Sequence, residues 1–427
     1  MKSWNRPQVP RLRTPAPASA SAPLIFDTST RTLVSSETAG AATIYVCGIT
    51  PYDATHLGHA FTYLAFDTLI RCWLDSGYTV TFVQNTTDID DPLLERATAT
   101  GVDWRVLAAS QTDLFRSDME LLSIIPPDHY VPVTAVIPEV AAAVDSLLAI
   151  GLAYEVSAPD SIDGQPDLYF DTQAASESTV WHLGLESNLD RATMLQLSAQ
   201  RGGDPERPGK RDALDPLLWR AARDLEPAWD TVLGRGRPGW HVECSVISVN
   251  RLGVSITVQG GGADLIFPHH EFSAAHASAL SGEPFAKIYA HAGMVAYQGE
   301  KMSKSLGNLV LVSRLVAAGA DPRAIRLALL AHHYRSDWEW TDSDLAAAEE
   351  RLAHWLRWSA SAAPGSLSAA DASEAEGTII QLLRAALAAD LDTPRALAVI
   401  DAAATARLLP RQDDVDAIKA LLGIDLA

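Results

Sequence analysis

Two cysteines and one histidine are the residues of this sequence whose types most directly suggest a chemistry. Cys47 opens a Cys-Gly-Ile-Thr-Pro-Tyr segment, Cys244 closes a Gly-Trp-His-Val-Glu-Cys segment, and His269 ends a glycine-rich stretch. Thiolate sulfur and imidazole nitrogen are ligands that zinc prefers. A zinc ion with three protein ligands keeps one coordination position open, and that position can hold a substrate atom.

A second pattern, from His56 to His59, could bind phosphate. It reads His-Leu-Gly-His and lies where a predicted strand gives way to a predicted helix. The two histidines are three residues apart and share one helix face, and the free N–H groups of a helix N-terminus favour phosphate. We predict that both imidazoles donate hydrogen bonds to ATP during attack at its α-phosphorus. The motif alone leaves a structural explanation open.

A third pattern, Lys-Met-Ser-Lys-Ser at 301–305, could neutralise pyrophosphate. Gly299 precedes it and Gly307 follows it, so a mobile loop is predicted. Lys301 and Lys304 are predicted to contact the phosphates, with Mg²⁺ bridging them. An ordinary solvated basic loop is the alternative interpretation.

The composition limits the class of protein. The 427 residues suffice for two or three domains, and 48% apolar residues indicate a folded core. No run of about 18 apolar residues occurs, so no membrane span is predicted. Three cysteines, and no apolar signal core in the first 23 residues, favour a reducing cytoplasmic location. The net charge of −20 disfavours nucleic acid as a partner without excluding a local basic patch.

The elements that must position these residues alternate between strands and helices. Apolar runs predict strands at 43–47, 80–83, 254–258 and 287–290, and apolar periodicity predicts helices at 58–74, 104–122, 138–152 and 241–252. This alternation predicts an α/β fold with a doubly wound parallel sheet. Such sheets bind ligands at the carboxyl ends of their strands.

The chain is predicted to divide into five parts. They are an N-terminal leader with a first segment, the first half of a nucleotide-binding catalytic domain, a connective insertion, the second catalytic half and a helical C-terminal domain. Their predicted bounds, in that order, are residues 1–39, 40–127, 128–212, 213–310 and 311–427. The leader is expected to be unstructured or extended, and a linker is expected at 359–373.

Together these motifs resemble the class I aminoacyl-tRNA synthetases, and cysteinyl-tRNA synthetase in particular. The similarity covers about residues 40–345 and is concentrated at 45–48, 85–91, 238–245 and 267–271. The resemblance implies a Rossmann-like catalytic domain and one zinc ion per subunit that binds the thiolate of a cysteine substrate. It further implies Cys47, Cys244 and His269 as the protein ligands of that zinc.

Two departures separate the chain from that synthetase. The synthetase has a zinc-binding glutamate four residues after the ligand histidine, where this chain has Ser273, and Glu271 does not match that position. Residues 364–427 hold five basic and ten acidic residues, a net charge of 5 − 10 = −5, where the synthetase has a basic tRNA-contacting region. With the Arg-Gly-Gly-Asp-Pro segment at 201–205, both departures resemble a paralogous family of ATP-dependent ligases in mycothiol biosynthesis. Gln200 stands where that family has glutamate, so its role is open.

This second resemblance implies a two-step reaction with L-cysteine, ATP and glucosaminyl-inositol as substrates. The cysteine carboxylate would attack the α-phosphate of ATP to give cysteinyl-adenylate and pyrophosphate. The amine of glucosaminyl-inositol would then displace AMP and form an amide. A cysteinyl-tRNA synthetase is the alternative function, and a non-catalytic zinc-binding relic is a third. We expect a monomer that binds neither nucleic acid nor a membrane.

The resemblance also assigns residues to the substrate and its adenylate. Trp240 is expected to wall the pocket, Asp264 to accept hydrogen bonds from the ribose, and Val295 to meet the adenine through its backbone. A core position for Trp240 and a helix or turn cap for Asp264 are the alternatives. Asp90, in an aspartate cluster, is expected at a helix start rather than on a metal. The full set of expected contact residues is Cys47, Gly48, Ile49, Thr50, Thr62, Asn85, Thr86, Thr87, Trp240, Gly262, Ala263, Asp264 and Val295.

Overall fold

The protein is represented by a computed structural model that describes residues 1–12, 22–52, 55–302, 307–361 and 378–427. Its strands are β1 (Leu24–Asp27), β2 (Thr32–Ser35), β3 (Ala41–Val46), β4 (Thr79–Thr86), β5 (His129–Pro132), β6 (Ala153–Val156), β7 (Asp167–Phe170), β8 (Leu217–Ala221), β9 (Trp229–Thr231), β10 (Gly234–Pro238), β11 (Ile256–Gly262), β12 (Ala286–Ala292), β13 (Val295–Tyr297), β14 (Glu300–Lys301) and β15 (Trp338–Trp340). Its α-helices are α1 (Leu57–Asp75), α2 (Asp91–Thr100), α3 (Trp104–Leu121), α4 (Ile137–Ala149), α5 (Thr172–Ser178), α6 (Arg191–Gln200), α7 (Trp240–Leu252), α8 (Glu271–Ser281), α9 (Val312–Ala317), α10 (Pro322–Leu330), α11 (Asp342–Ser359), α12 (Ile379–Ala388), α13 (Thr393–Thr405) and α14 (Gln412–Leu422).

A five-stranded parallel sheet with the order β12-β11-β3-β4-β5 forms the centre of the fold. Its middle strands are apolar runs, as a sheet covered by helices on both faces requires. Alternate residues of β3 face opposite sides. Ile44 and Val46 pack in the apolar cluster that includes α1, whereas Tyr45 packs in the cluster that includes α7. The doubly wound parallel sheet predicted from the sequence is confirmed.

Strand β11 differs most from its predicted position, because it begins two residues later and runs further. Gly253 and Ser255 both have positive φ angles, which interrupt an extended strand. At its far end the strand continues through three glycines, Gly260 to Gly262, and α1 approaches it closely there. A Cβ atom on Gly260 would lie 2.5 Å from the ring of Phe66, so only glycine fits this contact.

The predicted insertion contributes β6 and β7 to a second five-stranded sheet with the order β6-β7-β8-β10-β9, paired antiparallel. Strand membership differs from the predicted bounds of 128–212 in two places. β5 lies inside those bounds but pairs with β4, because Asp128 accepts a hydrogen bond from Phe82 N at 2.9 Å and returns one to its carbonyl at 2.8 Å. β8, β9 and β10 lie beyond residue 212 and find their antiparallel partners in the second sheet. The division into domains itself stays a prediction.

The N-terminal segment is extended but anchored. Residues 1–12 contain no helix or strand. Trp4 is nevertheless buried and packs edge-on against Phe115 and Tyr130, and its Nε1 donates to the carbonyl of Ile124 at 2.7 Å. The hairpin β1–β2, which the sequence analysis did not predict, packs beside β12. The described part of the leader therefore belongs to the folded core.

A buried charge cluster joins the C-terminal helices α10 and α14 to α1. Asp67 of α1 accepts hydrogen bonds from Arg71 Nε at 2.7 Å and from Arg326 of α10. Arg71 also donates to the carbonyl of Ala420 at 3.1 Å, and Arg326 to that of Leu422 at 2.6 Å, both on α14. Burial opposes ionisation, but the two arginines hold the pKa of Asp67 below its ordinary value. The cluster therefore stays charged at neutral pH.

The C-terminal region is helical, as predicted. Of the linker predicted at 359–373, residues from 362 onward lie outside the described residues. Among the described residues, no helix combines the length and the apolar character that crossing a bilayer demands.

Replacing Asp67 with asparagine is expected to lower the free energy of unfolding by about 3–5 kcal/mol, because two buried guanidinium groups lose their shared carboxylate. Urea denaturation measures this change. The control is Asp113→Asn, whose ion pair with Arg116 is largely exposed and whose loss is expected to cost under about 1 kcal/mol. Equal, small losses in both variants would contradict the structural role of the cluster.

Candidate active site

In the part of the chain that the structure describes, one group of three or more His, Cys, Asp or Glu side chains could hold a metal ion. It consists of Cys47, Cys244 and His269, all buried, with ligand atoms within 4.8 Å of one another. His269 Nε2 lies 3.3 Å from Cys244 Sγ. Ligands of a tetrahedral zinc ion stand roughly 3.5 Å apart, so the spacing of this group suits such an ion.

The pleat of β3 and the close start of α7 bring the two cysteines together. Cys47 directly follows β3, and its N–H donates to the carbonyl of Gly260 in β11 at 3.1 Å. Its side chain lies on the side where α7 packs, and Cys244 is in the second turn of that helix. A Cβ atom on Gly239, the residue before α7, would lie 2.0 Å from the carbonyl oxygen of Leu217. Glycine there lets α7 begin directly beside β8 of the second sheet.

Further imidazoles surround the group. His241 Nδ1 lies 3.0 Å from His269 Nδ1, and His270 Nε2 lies 3.3 Å from Cys47 Sγ. His270 Nδ1 in turn contacts His291 Nε2 at 2.8 Å. Burial, and then the neighbouring imidazoles, lower the pKa of His241 and His270 well below the ordinary value, and burial lowers the pKa of His291 to about 3. These rings are therefore neutral at neutral pH, the form that orients and supports metal ligands.

The two thiols differ in acidity. Burial and the neighbouring Cys244 raise the pKa of Cys47 well above its ordinary value. Burial also opposes ionisation of Cys244, but the hydrogen bond from Cys47 and the charge of His269 hold the pKa of Cys244 well below its usual range. Without a cation the pair favours a single thiolate, whereas a bound divalent cation stabilises both.

Among the described residues, no carboxylate joins the two cysteines and His269 in this group. Ser273 stands where the cysteinyl-tRNA synthetase pattern has its glutamate, and its Oγ donates to the carbonyl of His241 at 3.3 Å. Glu271 is turned away, because its carboxylate accepts hydrogen bonds from Trp181 Nε1 at 3.0 Å and from Ser187 N at 2.8 Å. The described side chains therefore offer three ligands and leave a position for a substrate atom.

A cavity of about 350 Å³ opens beside the group. Cys47 forms part of its wall, and so does Trp240, whose ring stacks on that of His269 with the centroids 4.4 Å apart. Trp240 is therefore a wall residue rather than a core residue. The predicted site residues on this wall are Cys47, Gly48, Ile49, Thr50, His56, His59, Thr62, Trp240, Gly262, Asp264 and Val295.

The two histidines predicted to bind phosphate meet at the N-terminus of α1. His56 precedes the helix, and its Nδ1 accepts a hydrogen bond from Gly58 N at 3.1 Å. The rings of His56 and His59 stack with their centroids 3.9 Å apart, and both line the cavity. His56 therefore caps the helix as well as facing the cavity, at a helix end that favours phosphate.

Four expected contact residues do not lie on the cavity wall: Asn85, Thr86, Thr87 and Ala263. Asn85 is buried behind the wall, where it accepts a hydrogen bond from Gly48 N at 2.8 Å and donates to Thr87 Oγ1 at 3.0 Å. A Cβ atom on Gly48 would lie 1.7 Å from the carbonyl oxygen of Asn85. The end of β4 thus supports the loop after β3 instead of facing the cavity.

The predicted pyrophosphate loop is described only in part. The backbone of Lys301 pairs with Ala296 in β13, and Met302 lines the cavity. Lys304 lies outside the described residues. Contact of Lys301 and Lys304 with ATP phosphates therefore stays a prediction.

Tyr63 also lies on the cavity wall, although it was not among the residues predicted from the sequence. Its hydroxyl donates to the carbonyl of Cys47 at 3.0 Å and so fixes the backbone of a metal-ligand candidate. His59, Thr62 and Tyr63 follow helical spacing on α1, and this spacing could have identified Tyr63. His291, which lies behind His270, had no such signal because it comes from the end of a different strand.

Comparisons with known proteins identify the family to which the chain belongs. Residues 33–350 match the family of tRNA synthetases class I (C) catalytic domains. The chain is 61% identical, over 100% of its length and 99% of the relative, to the L-cysteine:1D-myo-inositol 2-amino-2-deoxy-alpha-D-glucopyranoside ligase of Clavibacter michiganensis subsp. michiganensis. It is 58% identical to the protein of that name from Cellulomonas flavigena, covering 96% of this chain and 94% of the relative. The chain belongs to this ligase family.

Solved synthetases share the fold of this member of the ligase family. Mycobacterium tuberculosis methionyl-tRNA synthetase bound by methionyl-adenylate has a TM-score of 0.58 and 18% identity, covering 90% of this chain and 88% of the other. The LeuRS of Agrobacterium radiobacter K84 has a TM-score of 0.57 and 13% identity, covering 91% of this chain and 87% of the other. At these identities the likeness concerns the fold alone.

Replacing Cys244 with alanine in this ligase-family protein is expected to abolish metal retention, because two protein ligands hold zinc poorly. Elemental analysis of the purified variant measures the bound metal, which should fall at least about tenfold. The matched control is Cys72→Ala, since Cys72 is also buried but lies outside the group. Full metal content in Cys244→Ala would reject the assignment.

Proposed function

We propose that the protein joins L-cysteine to the amine of glucosaminyl-inositol through a cysteinyl-adenylate, acting as a cytoplasmic monomer in mycothiol biosynthesis. One observation carries the proposal: Cys47 belongs both to the three-ligand group and to the wall of the cavity that contains His56 and His59. An amino acid held by its sulfur at that group would extend its carboxylate into the cavity. The names of the relatives from Clavibacter michiganensis and Cellulomonas flavigena support this choice of substrates.

Selection of cysteine is proposed to rest on the metal site. Two thiols and an imidazole are donors typical of zinc. Zinc, when bound, supplies a soft position that takes a thiolate far more readily than a hydroxyl. A cavity that relied on shape alone would discriminate poorly between cysteine and serine, which differ by one atom. Ser273 in place of a carboxylate keeps that position available.

In the first step a carboxylate oxygen of cysteine attacks the α-phosphorus of ATP. The new oxygen–phosphorus bond forms as the bond to pyrophosphate breaks, and pyrophosphate leaves with the electron pair. His56 and His59 are proposed to donate hydrogen bonds to the phosphate oxygens as charge develops. Lys301 and Lys304, with Mg²⁺ that enters with ATP, are proposed to neutralise the leaving group.

The nucleoside end of ATP is proposed to lie at the other side of the cavity. Asp264 would accept hydrogen bonds from the ribose hydroxyls, and the backbone of Val295 would contact the adenine. Gly262 leaves room beside them, because a Cβ atom there would lie 2.6 Å from Asp264 Oδ1.

In the second step the amine nitrogen attacks the carbonyl carbon of the adenylate. A carbon–nitrogen bond forms, the carbon–oxygen bond to AMP breaks, and AMP leaves with the electron pair. The nitrogen releases its proton to water. Amide formation thus consumes one ATP and yields AMP and pyrophosphate.

The alternative function is that of a cysteinyl-tRNA synthetase, and the match to class I synthetase catalytic domains is compatible with both functions. Ser273 and the acidic composition of residues 364–427 oppose it. The test compares amide formation from glucosaminyl-inositol with the charging of tRNA by the same purified protein. We expect amide formation and no charging above background. Charging of tRNA without amide formation would overturn the proposal.

Replacing Lys304 with alanine is expected to lower cysteine-dependent ATP–pyrophosphate exchange by about 10²-fold or more, since a cation that stabilises developing phosphate charge is removed. The metal content should not change. The control is Lys287→Ala, whose ammonium group donates to the carbonyl of Glu37 away from the cavity. Unchanged exchange in Lys304→Ala would contradict the role assigned to the loop.

A further inference from the structure

A second cavity, of about 500 Å³, adjoins the first. The two share wall residues Thr50, Tyr52, Trp240, Asp264 and Leu265. Because Trp240 also stacks on His269, the shared wall lies next to the three-ligand group. A molecule in the second cavity could therefore reach the carbonyl carbon of an adenylate in the first.

The opposite wall of the second cavity is built from the insertion. It includes Gln200, at the end of α6, and the Arg-Gly-Gly-Asp segment that follows. Arg201 Nη1 donates to the carbonyls of Asp264 and Phe267, both at 2.5 Å. The insertion is thus bonded to the segment that leads to His269, and residues 201–204 line the second cavity.

This wall is rigid, as a preformed binding site requires. A Cβ atom on Gly203 would lie 2.8 Å from the carbonyl oxygen of Ser198, so no residue larger than glycine fits at this position. Asp204 accepts hydrogen bonds from Lys210 Nζ at 2.9 Å and from the hydroxyl of Tyr169. These contacts explain why arginine, glycine and aspartate occur at positions 201, 203 and 204.

The charges in the cavity identify the kind of ligand that fits. Three of its four Lys and Arg side chains pair with carboxylates: Lys210 with Asp204, Arg237 with Asp91, and Arg220 with Glu226. The fourth, Arg201, donates to two backbone carbonyls, whereas a site for phosphate would offer its cations to the ligand. Engaged charges and many polar groups instead suit a ligand rich in hydroxyl groups, and five aspartates against four cations in the lining favour one that carries an amine. The volume lies within the range of sites for disaccharide-sized ligands.

We propose that the second cavity binds the acceptor, an amino sugar linked to a cyclitol, with its amine at the shared wall and its cyclitol against Gln200 and the Arg-Gly-Gly-Asp segment. The inference rests on the proposed function, because that function supplies the acceptor. It assigns a binding role to Gln200, the one residue at which the segment departs from the family pattern. It also explains why the insertion is bonded to the catalytic half through Arg201.

Substitution at Gln200 tests the proposal. Gln200 is exposed on the cavity wall at the end of α6 and takes no part in the proposed adenylation step. Gln200→Trp is expected to raise the KM for glucosaminyl-inositol at least tenfold, because the larger side chain fills the space of the cyclitol. Gln200→Ala is expected to raise it about three- to tenfold through loss of a hydrogen bond. Cysteine-dependent ATP–pyrophosphate exchange should stay at the unmodified level in both variants.

The matched control is Gln196→Trp, an exposed position one helical turn earlier that lines neither cavity. Its KM for glucosaminyl-inositol should not change. An unchanged KM in Gln200→Trp would overturn the inference, and so would a parallel loss of exchange in that variant, which would place the effect on adenylation. Absence of exchange in the unmodified protein would instead overturn the proposed function, so the two failures are distinguishable.

Discussion

The alternation of side chains along β3 is the constraint on which the site depends. Ile44 and Val46 must face α1 to bury their apolar surface, and Cys47 therefore faces α7. A shift of one residue in the pairing with β11 would exchange the two faces. It would turn Ile44 and Val46 toward α7 and carry the Cys47 sulfur away from Cys244. The packing of the sheet and the assembly of the three-ligand group are thus secured by the same hydrogen-bonded register.

Trp240 links the two halves of the proposed chemistry. Its ring stacks on His269 and forms part of both cavities. Trp240 thus belongs to the wall shared by the space proposed for activation of the amino acid and the space proposed for the incoming amine. In the proposed reaction the acyl carbon would lie between the two ligands at that shared wall.

Local patterns in the sequence predicted much of this arrangement, because the features concerned are short in range. The parallel sheet follows from apolar runs and periodicity, and the helix after His56 follows from its glycine and spacing. The ligand group was implied by resemblance, and the structure brings its three members together. Local patterns could not predict contacts between segments that are distant in the sequence. His291 contacts His270 from another strand, and Trp4 packs against Phe115 of α3. Asn85 lies behind the cavity wall, where it accepts a hydrogen bond from Gly48.

The bonds from Arg71 and Arg326 to α14 have a consequence for how the molecule can be divided. Their guanidinium groups are fully buried, and they need the carbonyls at the end of the last helix as acceptors. A fragment that ended before α14 would lose those acceptors and leave both guanidinium groups, with the apolar surface around them, open to water. Helices α1 and α10 therefore depend on α14 for the packing seen in the full chain.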